Sequence, residues 1–184
     1  MIMVSLTLIA AQASATVVAP PGVPQGSGVV YGDDVGVAVR SPGGWVLDGK
    51  SGAPRGLDAV MYPTGSTWEN ATEIMYVDVA RLDAGQSVTG FIDNDLAKYR
   101  HDSPEIRSKT GDPVQMSRGG RAELRLYEGD RRGNSEAVAY LARGSHVVLY
   151  VLSCRSREGF ERGLPVFRRM VTESIPVAMK FEHE

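Results

Sequence analysis

The chain has 184 residues, 42% of them hydrophobic and 23% charged, which is the composition of an ordinary folded protein and not of a disordered one. A formal net charge of -2 argues against a nucleic-acid-binding protein, because such proteins usually carry a basic excess. The charge is unevenly spread: residues 1–97 hold 4 basic and 10 acidic side chains, and residues 98–184 hold 16 and 12.

The N-terminal segment, residues 1–15, has the pattern of a secretory signal. An uncharged apolar run is followed by Ala13-Ser14-Ala15, which fits the small-residue cleavage rule. The run is too short for a transmembrane segment, and a buried N-terminal strand is the alternative because no Lys or Arg precedes it. Residues 16–28 are rich in Pro and Gly and predict a flexible leader, so a single domain is expected over residues 29–184.

Period-two alternation of apolar residues predicts a three-stranded meander between Arg121 and Cys154. The third segment of the meander is apolar on both faces, which predicts a central strand covered on both sides. Further strands are predicted, in chain order, at residues 35–39, 57–62 and 74–82, with short edge strands at 112–116 and 174–179. Residues 101–111 have no periodicity and are interpreted as a polar connection.

Two helices are predicted, with Ser87 and Ser156 as their N-caps. Apolar residues follow Ser87 at helical spacing, and Asp93 and Asp95 are assigned to the opposite, solvated face. The second apolar stripe contains Pro165, which predicts a kink or a later helix start. Two helices and a mostly antiparallel sheet of six to eight strands make an α+β layered sandwich.

Several local features occur in a fixed order along the chain. Ser41-Pro42-Gly43-Gly44-Trp45 ends a strand, a short strand at 59–63 and a long one at 73–82 follow, and then come a helix, the meander and a last helix ending at 167–174. This order resembles the PsbP-like superfamily, which includes the photosystem II extrinsic subunit and Ran-binding relatives. The resemblance spans about residues 30–177. It implies the sandwich fold and a role in binding other proteins, either as an accessory subunit or as an immunity-type protein, and it assigns no functional residue.

No residue pattern in the chain predicts catalysis or a metal site. Cys154 lies beside a helix start, which would favour a thiolate, but His146 is eight residues away on the same strand, about 26 Å, too far to act as its base. A buried structural cysteine is therefore the preferred interpretation. The histidines, His101, His146 and His183, are too scattered for zinc. We expect no cofactor and no metal, and the balance is against an enzyme.

The most suggestive surface feature is a group of arginines in and around the meander. The predicted partner-binding residues are Arg121, Arg125, Arg131, Arg132 and Arg143. Arg121 and Arg125 share one strand face, and the turns place the others at opposite ends of the meander. An acidic protein partner could dock there, although neighbouring Glu and Asp residues partly neutralise the group and plain solvation is the alternative.

A second candidate site is a small groove formed by Trp45, Tyr62 and Trp68, which could equally be residues at the edge of the core. A single cysteine and no disulfide favour a bacterial periplasm or cell surface over a eukaryotic extracellular space. The sequence therefore predicts a periplasmic or secreted protein-binding module without catalytic activity, of immunity type or an envelope accessory. The alternative is a small-ligand-binding protein or a hydrolase with a pocket near Trp45 and Trp68.

Overall fold

The computed structural model describes residues 27–33 and 35–178. The strands in chain order are β1 (Ser27–Tyr31), β2 (Val35–Arg40), β3 (Trp45–Asp48), β4 (Ala59–Pro63), β5 (Glu73–Arg81), β6 (Arg107–Gln115), β7 (Arg121–Glu128), β8 (Ser135–Arg143), β9 (His146–Cys154) and β10 (Ile175–Ala178). The helices are α1 (Val88–Asp102) and α2 (Arg157–Glu173), and a 3-10 turn at Ala53–Arg55 connects β3 to β4. The predicted signal segment, 1–15, lies outside the described residues, as does most of the predicted leader.

The strands form two antiparallel sheets. The larger has seven strands in the order β3-β4-β5-β9-β8-β7-β6, and the smaller has three in the order β1-β2-β10. Together with the two helices they make the α+β sandwich that the sequence predicts. Strand β9 lies in the middle of the larger sheet between β5 and β8, and eight of its nine residues are buried, as expected for a central strand.

Both helices begin at the predicted serine caps. Ser87 Oγ accepts a hydrogen bond from the Gly90 N–H at 3.1 Å, and Ser156 Oγ accepts one from the Gly159 N–H at 3.1 Å. Each bond satisfies one of the backbone donors that a helix start leaves without an intrahelical partner. Helix α2 continues through Pro165, which lies on its exposed side, so the helix does not start late.

The seven-stranded sheet is covered on both faces. Helix α2 and the small sheet pack on one face, in a core that includes Val37, Met61, Leu152, Phe167 and Met170. Helix α1 packs on the other face, where its Ile92 and the partly buried side chains beside it meet a second core cluster. The fold therefore has three layers. Within the described part of the chain, no helix has the length and apolar character needed to cross a bilayer.

Three strands depart from the sequence prediction. Residues 107–111 were expected to be a connection, but they extend β6 to nine residues, and neither β1 nor β3 was expected. Ser27 and Gly28 belong to β1 and not to the predicted leader. Strand β6 lies at the edge of the sheet, and its first four side chains are all exposed. Its sequence therefore has no alternation of apolar and polar residues that would predict a strand.

Candidate functional site

Arg121 and Arg125 lie on β7, next to the edge of the seven-stranded sheet. Arg121 is opposite Gln115 of β6, and Arg125 is opposite Thr110. Arg121 forms an ion pair with Glu123 at 3.4 Å. The guanidinium of Arg125 donates to the Leu124 carbonyl at 3.1 Å. Both side chains point to the face of the sheet that carries α1, since they alternate with the residues that face α2.

Arg131 and Arg132 lie in the turn between β7 and β8. The carboxylate of Asp130 fixes this turn by accepting hydrogen bonds from the backbone N–H groups of Arg132 and Asn134, both at 2.8 Å. The Arg131 N–H donates to Ser103 Oγ, at the end of α1, at 3.0 Å. Both arginines are exposed, and neither guanidinium forms an ion pair with any described residue.

Arg143 lies at the other end of β8, half-buried, with its Nη2 3.5 Å from the Gly119 carbonyl oxygen. Its Nε is buried and lacks a hydrogen-bond partner among the described residues. Strand β8 has nine residues, so its two ends are about 26 Å apart. The five predicted arginines are therefore not a single patch.

The five arginines instead follow the length of edge strand β6. Arg131 and Arg132 adjoin the end at Arg107, Arg125 lies beside the middle, and Arg121 and Arg143 lie at the far end. Strand β6 adds the exposed Arg107 and Lys109, which sequence reasoning missed together with the strand. We call this set the basic edge: Arg107, Lys109, Arg121, Arg125, Arg131, Arg132 and Arg143.

The basic edge is only partly neutralised. Residues 107–134, which contain every member of the basic edge except Arg143 and also contain Arg118, carry seven basic and four acidic side chains. Their net charge is +3, in a chain whose net charge is -2. Glu128 is shared by Arg107 at 3.3 Å and Arg157 at 3.5 Å, and the carboxylate of Asp130 is occupied by its own turn. Lys109 has no ion pair within the described chain. The arrangement can attract an anionic partner along the length of a strand.

The structure places the three predicted groove residues on both faces of the larger sheet. Trp45 packs against the core on the α2 side of the sheet, whereas Tyr62 and Trp68 pack on the α1 side. The Tyr62 hydroxyl donates to Asp48 Oδ2 at 2.8 Å, and the guanidinium of Arg55 lies 5.3 Å from the centre of the Trp68 ring. A surface crevice of about 360 Å³ lies elsewhere, between residues 81–86 and 144–145.

Cys154 is buried in the core under α2, as preferred from the sequence. Burial, with smaller contributions from the charges of Glu73 and Glu136, raises the pKa of the thiol to about 12, so the group stays protonated at neutral pH. His101 is exposed on α1 and His146 is buried at the start of β9, while His183 lies outside the described residues. The described residues contain no cluster of three or more potential metal ligands.

A buried polar network under α1 was missed by sequence reasoning. Glu136, which is 2% exposed, accepts hydrogen bonds from the Ser153 and Tyr99 hydroxyls, each at 2.7 Å. Asp95 accepts one from the Tyr140 hydroxyl at 2.6 Å. The assignment of Asp95 to the solvated face of the helix was therefore wrong, while Asp93 is exposed as expected.

The two carboxyl groups of the network are both harder to ionise than usual. Burial raises the pKa of Glu136, and the hydrogen bonds from Ser153 and Tyr99 oppose that rise in part. Burial also raises the pKa of Asp95, against the hydrogen bond from Tyr140 and the charge of Lys98. The Tyr99–Glu136 and Tyr140–Asp95 hydrogen bonds join α1 to β8, so the network docks the helix on the sheet.

No family model and no curated protein matches the sequence. Among solved structures, the chain is similar to cyanobacterial PsbP (CyanoP) from Synechocystis sp. PCC 6803, with 14% identity, 88% of this chain and 99% of that chain covered, and a TM-score of 0.48. It is also similar to the Ran-binding protein Mog1p of Saccharomyces cerevisiae, with 13% identity, 75% and 83% covered, and a TM-score of 0.43. Both TM-scores are below 0.5, and no binding residue is transferred from these structures.

Proposed function

We propose that the protein is a non-catalytic binding module of the bacterial periplasm or cell exterior that docks an acidic protein partner on the basic edge. In cellular terms this is an accessory or immunity-type role. The observation that carries the proposal is the run of incompletely paired cations along one sheet edge, most of them exposed, in a chain whose net charge is -2.

The stability of the folded chain does not explain why these cations are present. Exposed ion pairs contribute about 0–1 kcal/mol each, and Lys109, Arg131 and Arg132 make none with the described residues. Uncompensated charge of one sign on a surface steers a partner of the opposite sign and raises the association rate. The basic edge is therefore better explained by an encounter with an anionic surface than by the fold.

The alternative function, a ligand pocket or hydrolase site near Trp45 and Trp68, gains no support from the geometry. The two indoles lie on opposite faces of the larger sheet. The crevice at residues 81–86 and 144–145 holds one carboxylate, that of Asp83, and neither a cysteine nor a histidine.

The test is affinity capture from envelope and secreted fractions after mild cross-linking, with the full chain as bait. The double variant Arg131→Glu/Arg132→Glu reverses two unpaired charges in an exposed turn. The control Arg55→Glu/Arg81→Glu makes the same change in net charge on exposed residues outside the basic edge. Fractionation of the producing cell tests the compartment.

We expect one stoichiometric partner that the unmodified chain and the control both capture. Its dissociation constant should rise at least tenfold for Arg131→Glu/Arg132→Glu and should also rise with salt, because exposed charges are screened. A partner held equally by both double variants would contradict docking on the basic edge. Turnover of an ester, peptide or glycan substrate that a single side-chain change abolishes would contradict the non-catalytic role.

A further inference from the structure

Strand β6 leaves part of its backbone without a neighbouring strand. It pairs with β7 on one side and is the last strand of the seven-stranded sheet. In an antiparallel edge strand, alternate residues direct their N–H and C=O groups away from the sheet, and these groups can pair with an added strand. Strand β6 has nine residues, against four in β3 at the opposite edge and five and four in the outer strands of the small sheet.

The open part of β6 is its first half, from Arg107 to Gly111. The pairing with β7 is interrupted between Gly111 and Val114, where the strand bulges. Beyond that point α2 covers the backbone: Arg168 donates to the carbonyls of Asp112 at 2.8 Å and Pro113 at 3.3 Å. The described structure thus closes the second half of the edge and leaves five consecutive residues of the first half open.

The side chains of this open half select the charge of an added strand. Arg107 and Lys109 point to the α2 side, opposite Glu128 and Leu126 of β7. Opposite charges directly across a strand pair stabilise it, and like charges destabilise it. An added strand with carboxylates at alternate positions can therefore pair with Arg107 and Lys109 along one face.

The same charges disfavour a second copy of this chain. Antiparallel pairing of two β6 strands about Lys109 would place the two Lys109 ammonium groups opposite each other. Lysine on an edge strand is a device that proteins use against self-association. Repulsion between the lysines thus disfavours pairing of two β6 strands, whereas a strand with acidic side chains can still pair. Such repulsion against a wrong partner is one source of binding specificity.

We infer that an extended acidic segment of the partner adds as an eighth strand beside Arg107–Gly111 of β6. This inference rests on the proposed function and specifies how the acidic partner is held. Main-chain hydrogen bonds supply affinity in this mode, and alternate side chains supply specificity. Carboxylates at every second position are the feature of the partner that the edge recognises.

The first test uses a synthetic nine-residue peptide of alternating Glu and Val, with a Lys and Val peptide as its control. Amide hydrogen exchange of the full chain is measured with each peptide. We expect the Glu peptide to bind and to protect alternate backbone amides within residues 107–111, and the Lys peptide to do neither. Failure of the Glu peptide to bind, or binding without protection of these amides, would overturn strand addition.

The second test uses proline, which removes a backbone donor. Of Lys109→Pro and Thr110→Pro, one removes an N–H that bonds to β7 and the other an N–H that points outward. The variant that stays folded by circular dichroism should bind the Glu peptide and the captured partner at least tenfold more weakly. Lys109→Gln controls for the lost charge.

The two proposals fail in different ways. If the captured partner needs Arg131 and Arg132 but binds the folded proline variant normally, docking on the basic edge stands and strand addition is wrong. If no partner depends on the basic edge, the proposed function is wrong whatever the peptide does.

Discussion

The two faces of the seven-stranded sheet are covered by helices that are held in different ways. Under α2 the contacts are almost entirely apolar, with Phe167 and Leu152 fully buried. Under α1 the apolar contacts surround a network of tyrosine hydroxyls and carboxyl groups. Its bonds run in both directions: Tyr99 of the helix donates to Glu136 of the sheet, and Tyr140 of the sheet donates to Asp95 of the helix.

The difference teaches how one sheet can fix two helices with unequal precision. Burial of apolar area stabilises without regard to direction, so α2 is held by the shape of its contacts. Hydrogen bonds constrain distance and angle, so the reciprocal pair of bonds fixes the position of α1 along β8. A buried polar network is costly when any member loses its partner, which makes the α1 face the more sensitive to polar substitutions.

The largest expected effect is on the apolar face. Phe167→Ala should lower the free energy of unfolding by about 3–5 kcal/mol, because it removes a fully buried ring and leaves a cavity. Urea denaturation followed by circular dichroism measures the loss. Phe160→Ala, at a partly buried position of the same helix, should cost less. An equal loss of unfolding free energy at both positions would contradict the claim that full burial of the Phe167 ring causes the larger effect.

On the polar face, Glu136→Ala should cost about 2 kcal/mol, because the hydroxyls of Tyr99 and Ser153 lose their acceptor in a buried site. Glu136→Gln keeps an acceptor oxygen of the same shape and should recover most of that loss. Denaturation midpoints of the two variants make the comparison. If Gln is as destabilising as Ala, the hydrogen bonds are not what stabilises this site.

A smaller effect on the free energy of unfolding is expected when one tyrosine hydroxyl is removed from each face of the sheet, and the size of the effect should differ between the two faces. Tyr140→Phe should cost about 1–2 kcal/mol, because it leaves the carboxylate of Asp95 without its bond and breaks a 3.1 Å contact with Tyr127. On the α2 side, the Tyr150 hydroxyl is buried with Ser174 as a polar neighbour but with no hydrogen-bond partner among the described residues. Tyr150→Phe should therefore be neutral or slightly stabilising, and a loss as large as that of Tyr140→Phe would contradict the contrast.

The smallest effect is the pH dependence that Glu136 contributes on the α1 face. Burial raises the pKa of Glu136 in the folded state, so the folded chain binds a proton more tightly than the unfolded chain. The resulting stabilisation is complete below the unfolded pKa near 4.5 and is lost as pH rises through the folded value. Glu136→Gln should remove the share of Glu136 from the fall of unfolding free energy with rising pH. The shares of Asp58, Asp78 and Asp95, whose pKa values burial also raises, should remain.

The control for the pH series is Glu123→Gln, at a half-exposed carboxylate on the same face of the neighbouring strand. It should leave the share of Glu136 in place. The difference between the unmodified chain and Glu136→Gln isolates one group, since every other titrating group is common to both. A parallel pair of curves would show that Glu136 ionises in the folded state as it does in the unfolded one.

The parts of the fold that sequence predicts well are those where burial imposes a period. The meander from Arg121 to Cys154 and both serine caps are confirmed, because alternation and capping are local patterns. Residues 107–111 were mistaken for a connection, because an exposed edge strand has no apolar period to detect. Asp95 falls at helical spacing with Ile92 and Tyr99, so its position places it on the face of α1 that packs on the sheet, although its charge favours the solvated face.

The candidate site, like the fold, could be predicted only in part from the sequence. The meander fixes the places of the five predicted arginines, but Arg107 and Lys109 depend on a strand that the pattern does not show. Two of the predicted groove residues face opposite sides of the sheet for a geometric reason. Tyr62 lies opposite Val46 in the β3–β4 pair, and Trp45, the residue before Val46, points to the other face. Proximity in a hairpin does not bring adjacent register positions to one face.

The buried thiol of Cys154 can serve as a built-in probe of local opening of the structure. Cys154 is the only thiol in the sequence, is 1% exposed and lies at the end of the central strand, opposite Glu73 and Ser135. A thiol reagent can reach it only when β9 or α2 detaches. The rate of alkylation can be followed by mass spectrometry, because each modified molecule gains one mass increment. It therefore reports how often the structure around Cys154 opens locally, without a label or a mutation.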